Sequence, residues 1–401
     1  MELSRNRPFF QPTPRLGRAI PIGPAVALVF FLATAARGQT ITEFPVPTPI
    51  SQPTGIAAGP DGNLWFTETA ANKIGRITPA GAITEFSAGL SVAAAPWAIT
   101  GGPDGNVWFT EQGMNKIGRI TPAGVITEFP TQAGAISLGI TAGPDGNLWF
   151  TEFQGAIGRI TPAGVVMEFS AGLSSISQWG ITAGSDGNLW FTQYGAPSRI
   201  GKITTAGVIT EFTTGIAPNG GIEAITSGPD GNLWYANQNN DTIGRVTTSG
   251  VITEFPIGTF AQARGISAGP DGNLWFTGYN GAQVFRITTA GVVTQFTAGI
   301  TAGAQSRGIT AGPDGNLWFT EQTGNRIGQI ALGIVAPTAT PTVTGTVPPT
   351  STPTATPPPG VTPSTTPQGP AGVVVPTLSP SLLALFAAAL ALSALLLVRR
   401  N

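Results

Sequence analysis

The chain contains neither cysteine nor histidine among its 401 residues. Without cysteine it forms no disulfide, binds no metal through thiolates and has no thiol nucleophile. Without histidine it lacks the side chain that most often serves as a general base near neutral pH, which is also the commonest metal ligand. Active sites that depend on a thiolate or an imidazole are therefore excluded.

Charge is also scarce, because charged residues make up only 10% of the chain, whereas glycine contributes 55 residues. This composition is typical of a β protein with many tight turns. The termini hold most of the unbalanced positive charge, and the region between them has 12 basic and 19 acidic residues, a net charge of −7. It offers no basic stripe to phosphate backbones, so we expect no nucleic-acid partner.

One short stretch recurs seven times, and residues 138–152 give a clear copy, LGITAGPDGNLWFTE. Two runs of β-branched and aromatic residues flank a Pro-Asp-Gly-Asn turn, in which Asp-Gly supplies the positive φ of a tight hairpin. The turn aspartates are 41–44 residues apart, at Asp61, Asp104, Asp145, Asp186, Asp230, Asp271 and Asp314. A fixed period of this length indicates stacked supersecondary units.

Two further strand-like runs separate successive hairpins, for example residues 117–120 and 126–129, and a Thr-Pro-Ala-Gly turn joins them. Four strands per repeat predict an all-β fold, a seven-bladed β-propeller. The last strand of the repeat occurs seven times, but its first copy, 41–44, precedes the first hairpin and none follows the seventh. We therefore predict that this N-terminal strand joins the last blade and closes the ring.

Two repeated side chains have structural interpretations. A tryptophan stands at the same place in every repeat, where we expect it to fill the space between blades. These residues are Trp65, Trp108, Trp149, Trp190, Trp234, Trp275 and Trp318. A glutamate recurs on the outermost strand, where we expect it to blunt an exposed edge and to have no chemical role. These residues are Glu43, Glu85, Glu128, Glu168, Glu211 and Glu254.

The N-terminal residues 1–38 differ from the repeats. Several arginines precede an apolar run over 19–36 that two prolines interrupt, and small residues follow. This pattern predicts a secretory signal peptide, with an uncleaved N-terminal anchor as the alternative. In either case we expect the propeller, residues 39–335, to lie outside the cytoplasm, secreted or on the cell surface.

The C-terminal part divides into two segments. Proline and threonine dominate 337–370, so we interpret 336–374 as an extended stalk. Within 375–401, the 21 mostly apolar residues 378–398 precede two arginines, which predicts a transmembrane helix. The motif VPTLS before this run resembles IPTL-type sorting signals of Gram-negative bacteria, which implies that the tail is a sorting signal and open to processing.

The seven repeats disagree mainly at two positions that bracket the hairpin. One set precedes the first strand: Thr54, Trp97, Leu138, Trp179, Glu223, Arg264 and Arg307. The other follows the second strand: Glu68, Glu111, Glu152, Gln193, Asn237, Gly278 and Glu321. Because both positions lie at one end of the hairpin, we expect both sets to ring one mouth of the central channel, where variation on a rigid scaffold favours a site.

In this ring an acidic arc that includes Glu321 and Glu68 would meet a basic arc of Arg264 and Arg307 beside Glu223. Trp97 and Trp179 would offer stacking surfaces. The residues leave three interpretations open: a polar mouth with solvated charges, a ligand site, or a catalytic site. Clustered carboxylates would also suit a hard cation such as Mg²⁺ or Ca²⁺.

The pattern GITAGPDGNLWFTE, followed by IGRIT and ITEF, closely resembles the virginiamycin B lyase (streptogramin B lyase) family of seven-bladed propellers, over roughly residues 40–332. The repeats are loosely similar to NHL-type and gluconolactonase-like propellers as well. The resemblance implies an enzyme that opens the macrocyclic ester of streptogramin B antibiotics by elimination, with a histidine base and a Mg²⁺ ion. By the same resemblance, Arg307 stands at the catalytic histidine, Arg264 at a substrate-contacting histidine, and Gln305 and Glu321 at the metal ligands.

An arginine is essentially always protonated and does not take up the substrate proton as imidazole does. Loss of a general base typically costs about 10²–10⁴ in rate. We therefore predict a monomeric binding or interaction module with a small-molecule or surface ligand at the channel mouth, and with anions favoured near the two arginines. Two alternatives stay open: a C–O lyase with an altered site, in which Glu223 or Glu321 is the base, and a surface-displayed structural module.

Overall fold

Strands make up the regular structure of the residues that the computed structural model describes, which are 39–333 apart from 133, 219 and 259. The predicted signal peptide, the stalk and the C-terminal helix lie outside the described residues, as do 334 and 335. Within the described ranges no helix is long and apolar enough to cross a membrane.

The strands form seven four-stranded antiparallel sheets, one for each predicted blade. Blade 1 comprises β2 (Pro53–Ala58), β3 (Leu64–Glu68), β4 (Lys73–Ile77) and β5 (Ile83–Phe86). Blade 2 comprises β6 (Pro96–Gly101), β7 (Val107–Glu111), β8 (Lys116–Ile120) and β9 (Ile126–Pro130). Blade 3 comprises β10 (Ser137–Ala142), β11 (Leu148–Glu152), β12 (Ala156–Ile160) and β13 (Val166–Phe169). Blade 4 comprises β14 (Gln178–Ala183), β15 (Leu189–Gln193), β16 (Arg199–Ile203) and β17 (Ile209–Phe212).

The remaining blades follow the same order. Blade 5 comprises β18 (Ile222–Ser227), β19 (Leu233–Asn237), β20 (Thr242–Val246) and β21 (Ile252–Pro256). Blade 6 comprises β22 (Ala263–Ala268), β23 (Leu274–Gly278), β24 (Gln283–Ile287) and β25 (Val293–Phe296). Blade 7 comprises β26 (Ser306–Ala311), β27 (Leu317–Glu321), β28 (Arg326–Ala331) and the N-terminal strand β1 (Thr40–Pro45).

The predicted closure of the ring is confirmed. Strand β1 pairs antiparallel with β28, so that Thr40 lies opposite Ala331 and Pro45 opposite Arg326. The ring of Phe44 stacks on Trp318, with the two ring centroids 5.6 Å apart. The chain therefore completes its last blade with its first strand, and β28 has no free edge.

The recurring hairpin turn also has the expected form. In blade 3, Gly146 has a φ of 76°, and Oδ1 of Asp145 accepts hydrogen bonds from the backbone N of Asn147 (3.2 Å) and from Nε1 of Trp149 (3.0 Å). The second carboxylate oxygen accepts from the Asn147 amide. Turn formation and support of the tryptophan therefore account for the repeated aspartate.

The repeated tryptophans pack between blades, as predicted. All seven are fully buried. Trp149 of blade 3, for example, contacts Leu189 and Phe191 of blade 4 in one hydrophobic cluster. The sheets are thus held to one another by large apolar side chains, and the first strands of neighbouring blades lie side by side around the central channel.

The glutamates of the outermost strands do not blunt an exposed edge, and that expectation was wrong. The carboxylate of Glu85 accepts hydrogen bonds from the backbone N and the hydroxyl of Thr48, at 2.9 and 2.7 Å. Lys73 Nζ lies 2.7 Å from the same carboxylate. Thr48 belongs to the loop that arrives from the preceding blade, so these glutamates anchor connecting loops rather than face solvent.

Candidate functional site

The first of the two variable sets lines the channel, as predicted. A cavity of about 170 Å³ is bordered by the residues that begin the first strand of each blade. They are Thr54, Trp97, Leu138, Trp179, Glu223, Arg264 and Arg307, together with the small residue that follows each of them. Small neighbours are needed here because the first strands approach closely: a Cβ on Gly265 would lie 2.1 Å from the carbonyl oxygen of Arg307.

The charged side chains of blades 5, 6 and 7 meet in one ion-pair group at this mouth. Arg264 donates to both carboxylate oxygens of Glu223, at 3.0 and 3.3 Å. Arg307 Nη2 lies 3.8 Å from Glu223 Oε2. The three side chains together carry one net positive charge, so the arginines are already partly neutralised before any ligand arrives.

Aromatic rings hold both guanidinium groups from one face. The Arg307 guanidinium lies 4.3 Å from the centroid of Trp97, and that of Arg264 lies 4.1 Å from the centroid of Tyr279. Such cation–π contacts fix the plane of a guanidinium group. Tyr279 was not among the predicted site residues. It directly follows the variable position Gly278, and its aromatic side chain at that place is the signal in the sequence that would have identified it.

Trp179 lies in a separate aromatic group on blade 4, which adjoins blade 5 in the ring. Its indole packs against Tyr194, with centroids 5.7 Å apart, and meets Phe153 edge-on at 6.3 Å. The buried Trp179 Nε1 has no hydrogen-bond partner among the described residues. The channel mouth therefore contains both a positive charge and a flat apolar surface with an unused donor.

Arg307 does not act as a base in this setting. Its burial lowers its pKa to about 10, partly opposed by the nearby carboxylate of Glu223. The guanidinium thus stays protonated at neutral pH. The carboxylate of Glu223 is engaged by both guanidinium groups, those of Arg264 and Arg307.

The second variable set does not line the channel cavity, so its expected place at the mouth was wrong. The side chains of Glu68, Glu111, Glu152 and Glu321 are at most 1% exposed and lie inside their blades. The Glu68 carboxyl lies near Ser51 on the connecting loop and near Glu85 on the outermost strand. The residue is at the expected end of its strand, but its side chain is directed outward along the sheet, away from the channel axis.

Each of these inner glutamates lies beside an acidic group on the outer strand. Burial, with the charge of Glu128 nearby, raises the pKa of Glu111 to about 8. For Glu128, burial acts against ionisation, but hydrogen bonds from Lys116 and Ser91 hold its pKa below the ordinary value. Glu111 therefore keeps its proton at neutral pH, and the neighbouring Glu128 carboxylate can accept it in a hydrogen bond.

The other repeats support this assignment of the proton. In blade 4 the inner residue is Gln193, and its Nε2 donates to Glu211 at 2.7 Å. In blade 5 the inner residue is Asn237, and its Nδ2 donates to Glu254 at 3.0 Å. An amide donor thus replaces the protonated acid while the outer carboxylate stays the same.

The positions that would hold Mg²⁺ by resemblance do not fit the ion. Glu321 is fully buried, and burial together with the neighbouring Glu43 raises its pKa to about 9. Gln305, the other position, is uncharged. Among the described residues, no group of three or more Asp, Glu, Cys or His side chains is placed to hold a metal ion. One carboxyl, buried inside its blade, and one amide make a poor donor set for Mg²⁺, which favours several oxygen ligands including carboxylates.

Comparisons with known proteins match this scaffold. The profile of the virginiamycin B lyase family matches residues 33–216 and 180–352. A virginiamycin B lyase from Bordetella parapertussis is 50% identical over 46 residues. That stretch is 12% of this chain and spans only 15% of the relative's length.

Solved structures give longer matches. A streptogramin B lyase structure has 35% sequence identity and a TM-score of 0.69, covering 73% of this chain and 97% of that one. A catalytically inactive His-to-Ala variant of the virginiamycin B lyase from Staphylococcus aureus, solved with Quinupristin, has 37% identity and a TM-score of 0.68. It covers 73% of this chain and 99% of its own.

Proposed function

The chain belongs to the virginiamycin B lyase family, and we propose that it is a binding propeller of that family, which holds a ligand at the channel mouth without opening an ester ring. The observation that carries this proposal is the state of Arg307. By resemblance it occupies the catalytic histidine position, yet it is protonated, paired with Glu223 and stacked on Trp97.

The relative from Staphylococcus aureus supports a separation of binding from catalysis. Its His-to-Ala variant is catalytically inactive and was nevertheless solved with Quinupristin. The present chain has no histidine anywhere. A propeller of this family without that side chain can therefore keep a ligand site while lacking the family's reaction.

The chemistry of the mouth suggests which ligands it favours. Glu223, Arg264 and Arg307 leave one net positive charge, while Trp97 and Trp179 provide flat apolar faces. We infer a small ligand with one anionic group and one planar or apolar group, bound outside the cytoplasm by a secreted or surface-attached protein. Because Gln305 is uncharged and Glu321 is buried inside its blade, away from the channel, we infer a site that does not depend on Mg²⁺.

The test is to incubate the purified chain with a streptogramin B antibiotic and Mg²⁺, and to follow ring opening by liquid chromatography and binding by calorimetry. We expect no linear product, and we expect binding of an anionic aromatic probe to weaken about tenfold in Arg307→Ala, since a charge-assisted contact of about 1.4 kcal/mol is lost. Thr54→Ala, a change of an uncharged residue at the same mouth, is the matched control.

Three outcomes would refute the proposal. Ring opening that is abolished by Glu321→Gln or Glu223→Gln would assign the chain to the active lyases. Equal affinity of the original chain, Arg307→Ala and Arg264→Ala would move the ligand away from the mouth. Absence of saturable binding by the antibiotic and by every anionic aromatic probe tested would favour the structural module.

A further inference from the structure

Blade 3 differs from its neighbours beside the inner glutamate. In blades 1, 2 and 7 a basic residue lies directly opposite that glutamate in the next strand: the pairs are Glu68 and Lys73, Glu111 and Lys116, and Glu321 and Arg326. In blade 3 the residue opposite Glu152 is Ala156. This blade therefore keeps both acids of the repeat, Glu152 and Glu168, and lacks the cation.

The cation has a defined place in the complete blades. In blade 2, Lys116 Nζ lies 2.6 Å from Glu128 Oε2 and 2.7 Å from the hydroxyl of Ser91. Lys73 makes the equivalent contacts in blade 1, at 2.7 Å to Glu85 and 2.6 Å to Thr48. One ammonium group thus joins the outer carboxylate to the connecting loop in each of these blades.

The corresponding space in blade 3 is a cavity of about 450 Å³. Its described lining includes both acids, Glu152 and Glu168, and no basic side chain. Besides the loss of the lysine, the hairpin between β11 and β12 is shorter: three residues, 153–155, separate Glu152 from Ala156, where four separate Glu111 from Lys116. The cavity therefore results from two local changes in the repeat, and its volume is typical of small-molecule sites.

The two acids are incompletely paired in this cavity. Glu152 is 1% exposed, and its Oε1 has no hydrogen-bond partner among the described residues. Burial and the nearby charge of Glu168 raise the pKa of Glu152 to about 8, so Glu152 holds a proton at neutral pH that a bound cation would displace. Glu168 accepts from the backbone N of Gln132 at 3.0 Å. The inner glutamates of blades 1 and 2 also have oxygens that are unpartnered in the described part of the chain, so blade 3 is distinguished by the missing lysine and by the open space beside its two acids.

We propose that the blade 3 cavity binds the ammonium group of a small free alkylamine, in the place that a lysine side chain fills in blades 1 and 2. The ammonium donates to Glu152 and Glu168, which a cation needs because burial of an unpaired charge is strongly unfavourable. The alkyl chain lies along Ala135 and Ala156, where the lysine stem would otherwise pack. A divalent metal fits less well, since the described residues place no third acidic ligand there.

The amine proposal depends only on the cavity of blade 3 and is independent of the ligand site at the channel mouth. It is tested on the purified full chain with n-butylamine as the probe, by calorimetry and by the change in thermal midpoint. We expect saturable binding at millimolar amine that raises the midpoint of the original chain, and no effect from 1-butanol, which has the same shape without the charge.

The chain itself supplies matched variants. Ala156→Lys restores the residue of blades 1 and 2 and should abolish amine binding while leaving the protein as stable as before, or more so. Glu152→Gln, which copies Gln193 of blade 4, should weaken binding at least about tenfold. Glu111→Gln is the same change in blade 2, where Lys116 already fills the place, and should leave amine binding unchanged.

Three results would overturn the proposal. The first is undiminished amine binding in Ala156→Lys, or in Ala156→Leu if the lysine variant does not fold. The second is a loss of binding in Glu111→Gln equal to that in Glu152→Gln. The third is absence of saturable binding by butylamine up to about 10 mM, or binding of Mg²⁺ or Ca²⁺ in its place.

Discussion

The buried glutamates show how one proton changes the role of a side chain. As an ionised carboxylate, Glu111 has no hydrogen-bond partner among the described residues, because its neighbour Glu128 is also an acceptor. As a protonated acid it becomes the donor that Gln193 and Asn237 provide elsewhere. An uncharged donor therefore occupies this place in blades 2, 4 and 5, and glutamate provides it only while it keeps its proton.

Because Glu111 keeps its proton in the folded chain, the free energy of unfolding depends on pH. The folded-state pKa of Glu111, about 8, is higher than that of an ordinary glutamate, about 4.3. The folded chain therefore retains a proton that the unfolded chain releases, so the contribution of Glu111 is complete below about pH 4 and is lost as the pH rises toward 8. Glu111→Gln keeps the donor and removes the titration.

We expect Glu111→Gln to leave the free energy of unfolding almost unchanged at pH 4.5 and to raise it at pH 8, on the order of 2–4 kcal/mol. Urea denaturation at the two pH values measures the difference. The reciprocal change, Gln193→Glu, should introduce the same pH dependence into blade 4. Equal effects of Glu111→Gln at both pH values would show that Glu111 is already ionised in the folded chain.

At the scale of the single element, the hairpin was predictable because its determinants are local. Strand, turn and strand follow from apolar alternation around Asp145 and Gly146, and the structure places Trp149 as expected. Of the two variable sets that flank the hairpin, the sequence predicted the side-chain direction of only the first. The position before the first strand faces the channel, whereas the direction of Glu152 depends on a connecting loop and an outer strand that are distant in sequence.

The turn aspartate can be tested as a support for the buried tryptophan. Asp145→Ala removes the acceptor of Trp149 Nε1 and of the Asn147 backbone. Because a buried donor is left unpaired, we expect a loss of about 1–3 kcal/mol in the free energy of unfolding. Asp145→Asn retains an acceptor oxygen at the same place and should lose less than half as much in the same denaturation experiment. Equal losses would assign the stability to the charge of the aspartate.

At the scale of the whole molecule, the sequence predicted the blade number and the closure, because seven offset copies admit few other arrangements. It did not predict that the loops between blades are held by the outer-strand glutamates, since those contacts join residues 37 positions apart or, at the closure, 258 apart. Repetition determines the scaffold, whereas both proposed ligand sites lie where the repeats differ, at Arg307 and at Ala156.

Closure is the feature of the whole molecule that a deletion can test. Removal of residues 39–45 takes away β1, so β28 loses its partner, Trp318 loses the stacked ring of Phe44, and Thr301 loses the carboxylate of Glu43. We expect the thermal midpoint to fall by roughly 10 °C or more, because several kcal/mol of pairing and packing are lost.

The control for this deletion is a chain that begins at residue 39, which lacks the N-terminal segment but keeps the closing strand. We expect it to melt at the same temperature as the longer chain. The chain without β1 should also self-associate in sedimentation experiments, because the exposed edge of β28 pairs readily with another strand. An unchanged midpoint in the shorter chain would mean that the ring is held by contacts between blades, and that its last blade needs only three strands.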